Sequence, residues 1–437
     1  MSSSGSESSH DPSKTALDRR ALLADSLCMH PAQCLLAALV ALCPFGAAAQ
    51  DAAPADLVSG QGAVPELRPS KLPPLPEITP PTRPEVDDAI RRGVDDLIAS
   101  QTKNGSWGSA TRTEGLNINA PIPGAHHAFR AGTSGLALEG LLASGDRRPE
   151  TLAAIDRAEA WFLKELPRLR RATVATLYNT WGHAYGIKAL CALHEHREGD
   201  AERQSALREL AQQQVQMLVR YEDVNAGWGY YDFDEVTRKP SGLPTSFSTA
   251  TVMLALKKAK DVMGLELPER EVRRGLVFLQ RQQTPDFAYV YADSHRYRPR
   301  IGINRPGGSL CRSQACNAAR RAWGDEAVTD EVLKAWLDRL ILRNGWVDIA
   351  RKRPVPHETH FQNSGYFYYY GHYYAMDCIA VLPEPDQAVY YQNYARIILS
   401  KQEKDGSWWD YPLYAYHQPY GTGYSLRILS ECRNGVK

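Results

Sequence analysis

The sequence has almost no surplus of either charge: 51 Lys and Arg stand against 50 Asp and Glu in 437 residues. A chain so balanced carries no basic footprint for a polyanion, so nucleic acid is excluded as a first partner. It also lacks any apolar run of the roughly 20 residues that a membrane-spanning helix requires. The longest run, residues 34–43, has ten, so no stable membrane span is expected. No Cys-x-x-Cys occurs, and nothing in the sequence asks for a cofactor or a metal. The five cysteines beyond residue 49, Cys191, Cys311, Cys316, Cys378 and Cys432, are odd in number and far apart. They read as small buried hydrophobes and not as a disulfide framework.

What is present begins with the short apolar run. Arg19 and Arg20 precede it, Pro44 and Gly46 end it, and Ala47-Ala48-Ala49 supply small residues suited to cleavage before Gln50. Residues 1–49 therefore read as a signal-peptide region, starting at Met1 or Met29, and the protein is expected to be exported to the periplasm or the exterior of the cell envelope. Residues 50–84 are rich in Pro and Ala, from Pro65 to Pro84, a composition that favours extended linker over packed structure.

From residue 85 to 437 one phrase recurs. Arg92-Gly93, Leu97, Gln101, Gly105 and Trp107 form its clearest copy, and Ile398, Gln402, Gly406 and Trp408 form the last. Arg274-Gly275, Phe278 and Gln282 keep the helix but put Phe287 and Tyr289 where Trp would stand. Gly227-Trp228 and Gly345-Trp346 mark weaker copies, and the copy near Ile155 has lost the signature. The copies begin roughly 55–65 residues apart, enough for two helices and two loops each. The second helix of each pair opens with small, uncharged residues, such as Thr133-Ser134-Gly135 and Gly421-Thr422-Gly423, whereas the first carries most of the charge. Small residues allow close helix approach around an axis and charged ones face water. The expectation is an all-α fold, an (α/α)6 toroid of six inner–outer helix pairs closed by packing the last pair against the first.

This phrase of Arg-Gly, an apolar residue, Gln and Gly-x-Trp resembles the QW repeat of the squalene and hopene cyclases, which share their toroid with protein prenyltransferase β-subunits. In those cyclases a Gly-Gly-Trp segment leads to Asp-x-Asp-Asp-Thr-Ala at the head of an inner helix, and the middle Asp donates the initiating proton. Here Ala226-Gly227-Trp228-Gly229-Tyr230-Tyr231-Asp232-Phe233-Asp234 is similar to the lead-in, but the helix head reads Thr245-Ser246-Phe247-Ser248-Thr249-Ala250. Phe247 stands where the resemblance implies the acid, and a phenyl ring cannot protonate an alkene. Prenyltransferase zinc chemistry would need Asp-x-Cys, which is absent; Asp377 and Cys378 are adjacent.

A polar constellation remains. Asn179 with His183, and Tyr368 with His372, are four apart and share helix faces in the second and fifth pairs, which lie opposite each other in a six-membered ring. These four are the candidate catalytic residues, both imidazoles being expected to enter one cavity. Arg312, Gln314, Asn317, Asp232, Asp234 and Phe247 are the candidate ligand contacts, with His126, His127, the triplet Arg351-Lys352-Arg353, His357 and His360 around them. His357-x-x-His360 has metal-type spacing, but Pro354 and Pro356 place it in a loop. Three functions fit: a toroid binding or modifying an isoprenoid without Asp-initiated cyclisation, a secreted polysaccharide lyase in which His or Tyr removes a proton, or a non-catalytic envelope binding module. The expected partner is a small lipid or glycan.

Overall fold

Thr82 caps the first helix among the described residues. Its hydroxyl accepts from the Glu85 amide while the Glu85 carboxylate accepts from the Thr82 amide at 2.7 Å, a capping box with Pro84 in the first turn. The computed structural model describes residues 72–113, 115, 118, 120, 123–233 and 237–436. Residues 72–82 are without helix, and α1 (Arg83–Ser100) follows. It buries Val86, Ala89, Ile90, Gly93, Val94 and Leu97, a stripe spaced three and four apart, while Asp87, Asp88, Arg91 and Arg92 hold the outer face.

The remaining helices are α2 (Gly124–Ser144), α3 (Pro149–Glu165), α4 (Asn179–His196), α5 (Ala201–Tyr221), α6 (Ser246–Met263), α7 (Glu269–Gln282), α8 (Pro306–Ala322), α9 (Asp330–Leu342), the short α10 (Asn344–Asp348), α11 (Tyr368–Ala380), α12 (Glu384–Leu399) and α13 (His417–Cys432). Among the described residues there is no strand, only isolated bridges. α2, α4, α6, α8, α11 and α13 pack each on the next, and α13 returns to α2. The other long helices lie against the outside of that ring, so the expected (α/α)6 toroid is the fold observed.

Two contacts close it. A Cβ on Gly140 of α2 would meet the Gly423 carbonyl of α13 at 2.7 Å, so only glycine permits this approach of backbones. At the outer layer the Trp408 ring occupies the space beside Gly93, where a Cβ would lie 2.7 Å from Cζ3. The glutamines bridge neighbouring units: Gln101 Nε2 donates to the Ala154 carbonyl of α3 at 2.9 Å, and Gln402 Nε2 to the Ala89 carbonyl of α1 at 2.9 Å. Each indole N–H is bonded to its own helix, Trp107 to Leu97 at 2.7 Å and Trp408 to Ile398 at 2.9 Å. Bonds of this kind satisfy carbonyls that helix ends leave open. The five described cysteines are buried and free.

A candidate aromatic cavity

At the end of the ring where the inner helices begin, one side chain per turn faces the axis. Trp181 and Tyr185 come from α4, Phe247 from α6, Tyr370 from α11, and Tyr420 and Tyr424 from α13; with Phe129 and Leu136 of α2 they line a cavity of about 60 Å³. Trp181, Phe247, Phe129, Tyr366 and Leu413 also border a second compartment of about 240 Å³, completed by Tyr178, Tyr230, Tyr231, His357 and Tyr411. Sharing these five residues, the two form one aromatic hollow, with Pro356 and His357 on the wall of the larger part.

The tyrosine hydroxyls of this hollow are engaged with protein partners, and the rings line the space. Tyr178 bonds Tyr231, Tyr230 bonds Tyr291, and Tyr185 bonds Tyr424. Tyr370 donates to the Phe247 carbonyl at 2.9 Å, and Tyr366 meets His357 Nε2 at 3.1 Å. Burial lifts the phenols of Tyr230, Tyr291, Tyr370 and Tyr424 well above their usual value, so they stay neutral.

Phe247 is the centre of the wall. Its ring lies 5.0 Å from Phe367 edge-on, 5.2 Å from Tyr291 and 5.8 Å from Tyr230. The polar residues around it at the head of α6 serve the backbone. Thr245 caps Ser248 at 3.3 Å, Ser246 donates to Val290 at 2.7 Å, Ser248 accepts from the Trp181 indole at 3.1 Å, and Thr249 accepts from the Trp228 amide at 2.9 Å. Among the described residues no carboxylate lines the hollow. The carboxyl that comes nearest through a hydrogen bond is Asp410, fully buried behind Tyr420, whose hydroxyl donates to it at 2.6 Å. Burial raises Asp410 to about 7.

His183 and His372 do not enter this space. His183 bonds Gln214 of α5 at 2.7 Å and stacks on Tyr221. His372 receives Asn344 at 2.8 Å on Nε2 and donates from Nδ1 to the Tyr368 carbonyl at 2.7 Å, with its ring against Tyr394 of α12. Tyr368 donates to Asn344 at 3.2 Å. Both imidazoles thus face the outer helices, and burial pulls each down to about 4, neutral at physiological pH. The reason is register: residues two apart on a helix point about 200° apart, so once Trp181, Tyr185, Tyr370 and Tyr374 take the axis, His183 and His372 must turn away. Asn179 shares the His183 face, is buried, has an amide without a hydrogen-bond partner, and lies outside the cavity lining.

The expected ligand contacts divide. Phe247 lines the hollow. Arg312 stands behind its wall, donating to the Gly308 carbonyl at 2.8 Å and the Tyr289 carbonyl at 3.0 Å with its guanidinium against the Tyr291 ring. Gln314 donates to the Trp336 carbonyl at 2.8 Å, and Asn317 accepts from Tyr289 at 2.9 Å; both are braces between helices, not cavity groups. Asp232 is buried in an ion pair with Arg171 at 2.8 Å. Asp234 lies outside the described residues. The basic triplet is neutralised, Arg351 by Asp348 at 3.0 Å, Lys352 by Glu403 at 2.6 Å and Arg353 by Glu358 at 3.3 Å. What sequence reasoning missed are Trp181, Tyr185, Tyr366, Tyr420 and Tyr424. The signal was there: aromatic pairs four apart, 181/185, 370/374 and 420/424, beside glycines at 182, 371 and 421.

Comparison with known proteins agrees with this architecture. The unsaturated glucuronyl hydrolase from Streptococcus agalactiae superposes with a TM-score of 0.52 at 13% identity, over 81% of this chain and 93% of the hydrolase. The type II terpene cyclase MstE from Scytonema gives 0.45 at 14% identity over 81% and 98%. The GH76A alpha-1,6-mannanase from Salegentibacter sp. HEL1_6 gives 0.46 at 12% over 80% and 98%. At such identities the likeness is one of fold. No curated protein matches the sequence. The profile of the squalene-hopene cyclase C-terminal domain matches residues 73–295, half of the chain, which includes α1 to α7 and the altered head of α6, and the chain accordingly belongs to that family.

Proposed function

We propose that this is an exported toroid that holds an apolar, isoprenoid-type ligand in the aromatic hollow and does not cyclise it by carboxylic-acid protonation. The observation that carries the reading is the wall itself. The rings of Trp181, Tyr230 and Tyr370 stand 6.2, 5.8 and 6.3 Å from Phe247, which lies at the position where a cyclase places its proton donor. Such a surface rewards burial of hydrocarbon at roughly 25 cal/mol per Å², and its tyrosine hydroxyls are already engaged with protein partners.

The polysaccharide-lyase alternative needs a base beside the substrate. Its candidate bases, His183, His372 and Tyr368, are turned to partners outside the cavity lining, Gln214 for the first and Asn344 for the other two, so the hollow favours the isoprenoid reading. The test uses the purified chain with squalene. Saturable quenching of tryptophan emission, lost in Phe247→Asp and Trp181→Ala, together with recovery of unchanged squalene, is the expected result. Conversion of squalene to a cyclic product, or release of unsaturated products from an acidic polysaccharide with no squalene binding, would overturn the proposal.

A further inference from the structure

The ladder of axial side chains continues past the aromatic hollow and changes character one turn further on. Beyond Leu136 on α2 comes Glu139, beyond Tyr185 on α4 comes Lys188, and beyond Leu254 on α6 comes Lys258. Asp377 follows Tyr374 on α11, and Arg427 follows Tyr424 on α13. Five inner helices therefore bring charge to the same level, and α6 adds the pair Lys257–Asp261, closed at 2.6 Å, so that four cations and three carboxylates line the space. The sixth, α8, contributes only Ala318 and Ala322. These residues line a separate cavity of about 310 Å³, where the inner helices end. Tyr185 and Tyr424, joined through their hydroxyls, stand between it and the aromatic hollow.

The carboxylates of this level are satisfied. Glu139 takes Lys258 at 3.2 Å and the Tyr373 hydroxyl at 2.6 Å, which, with Lys188 and Arg427 nearby, hold it at about 2 against the opposing effect of burial. Asp377 takes Arg427 at 2.6 Å, and Arg427 also reaches Glu431 at 2.8 Å. Lys188 is the exception. Only 3% exposed, its ammonium rests over the Tyr373 and Tyr374 rings at 4.3 and 4.8 Å and has no hydrogen-bonded or ion-paired acceptor. Glu139 and Asp377 act on it only from beyond ion-pair range, and a buried ammonium without a bonded acceptor is costly. Burial pulls it down to about 8.

We infer that this second cavity is a binding site for a small organic carboxylate, whose anionic end pairs with Lys188 and whose apolar body lies against Ala318 and Ala322. Lys188, the one cation of this level without a bonded acceptor among the described residues, supplies the charge, the missing sixth side chain supplies the room, and the alanine wall distinguishes an organic acid from an inorganic anion. The site is independent of what the aromatic hollow holds.

Calorimetric titration of the purified chain with butyrate tests it, against n-butylamine and inorganic phosphate. One saturable butyrate site is expected, weakened roughly tenfold or more in Lys188→Met, in line with loss of a charge-assisted contact. Ala318→Leu fills the room without touching a charge and is expected to abolish binding while the circular dichroism spectrum stays helical; it decides the matter if Lys188→Met fails to fold. Absence of butyrate binding, equal binding in folded Lys188→Met or Ala318→Leu, preference for butylamine, or phosphate binding as tight as butyrate would each overturn the inference.

Discussion

Replacing Asp410 by Asn should make the protein more stable at neutral pH relative to wild type, and by an amount that grows with pH in a defined window. Asp410 is fully buried, accepts from Tyr420 at 2.6 Å and from the Tyr369 amide at 3.1 Å, and burial nonetheless lifts it from 3.8 to about 7. Between those values the folded chain keeps a proton that the unfolded chain gives up. Stability therefore falls as pH rises through the window. A shift of about three pH units corresponds to about 4 kcal/mol, all of which Asp410→Asn removes. The lost acceptor adds a pH-independent cost of about 1–2 kcal/mol. Asp223 and Asp96, also raised by burial, to about 7 and about 6, titrate in both proteins and cancel in the difference. Urea unfolding followed by circular dichroism at pH 4, 5, 6 and 7 gives the comparison. A stability difference that stays flat across these pH values would refute the reasoning.

Other substitutions separate scaffold from cavity. His183→Ala deletes the Gln214 bond and the Tyr221 stack and should lower the melting temperature with squalene binding unchanged; impaired binding in the folded variant would restore a role in the hollow. Phe247→Ala should cost roughly 3–5 kcal/mol in denaturant unfolding and weaken squalene quenching, a combination that His183→Ala cannot produce. Gly93→Ala pushes a Cβ to 2.7 Å from Trp408 and should cost roughly 1–3 kcal/mol through overpacking at the closing seam, read as a lower urea midpoint with an unchanged slope.

The repeat was legible because it is written in residues whose geometry is fixed. Gln101 and Gln402 reach carbonyls of the next outer helix, and Trp408 needs Gly93 beneath it, so the phrase reports both the pairing of helices and the closure of the ring. The cavity was harder to read. A fully buried inner helix has no polar face, and hydrophobic periodicity then fails to say which side meets the axis. His183 and His372 drew attention by their chemistry, yet the faces that carry Trp181 with Tyr185 and Tyr370 with Tyr374 won the axis because aromatic rings fill the ring's centre while the imidazoles find polar partners, Gln214 and Asn344, at the layer behind. Glu139, Lys188 and Arg427 went unread for a related reason: inner helices open with mostly uncharged residues, and these three charges stand in the second halves of their helices.

The same ladder bears on chemistry. Ring faces stabilise positive charge, so the hollow keeps the part of a cyclase that would shelter a cation while Phe247 replaces the part that would create one. The phenols are no substitute, since burial holds them well above their ordinary value. Asp410 sits at a more useful value, but Tyr420 stands between it and the hollow with its O–H directed to the carboxyl, so the proton of that pair faces away from the ligand space. A wall that can stabilise a carbocation and, among the described residues, has no acid poised to start one supports retention of an unsaturated hydrocarbon over its cyclisation.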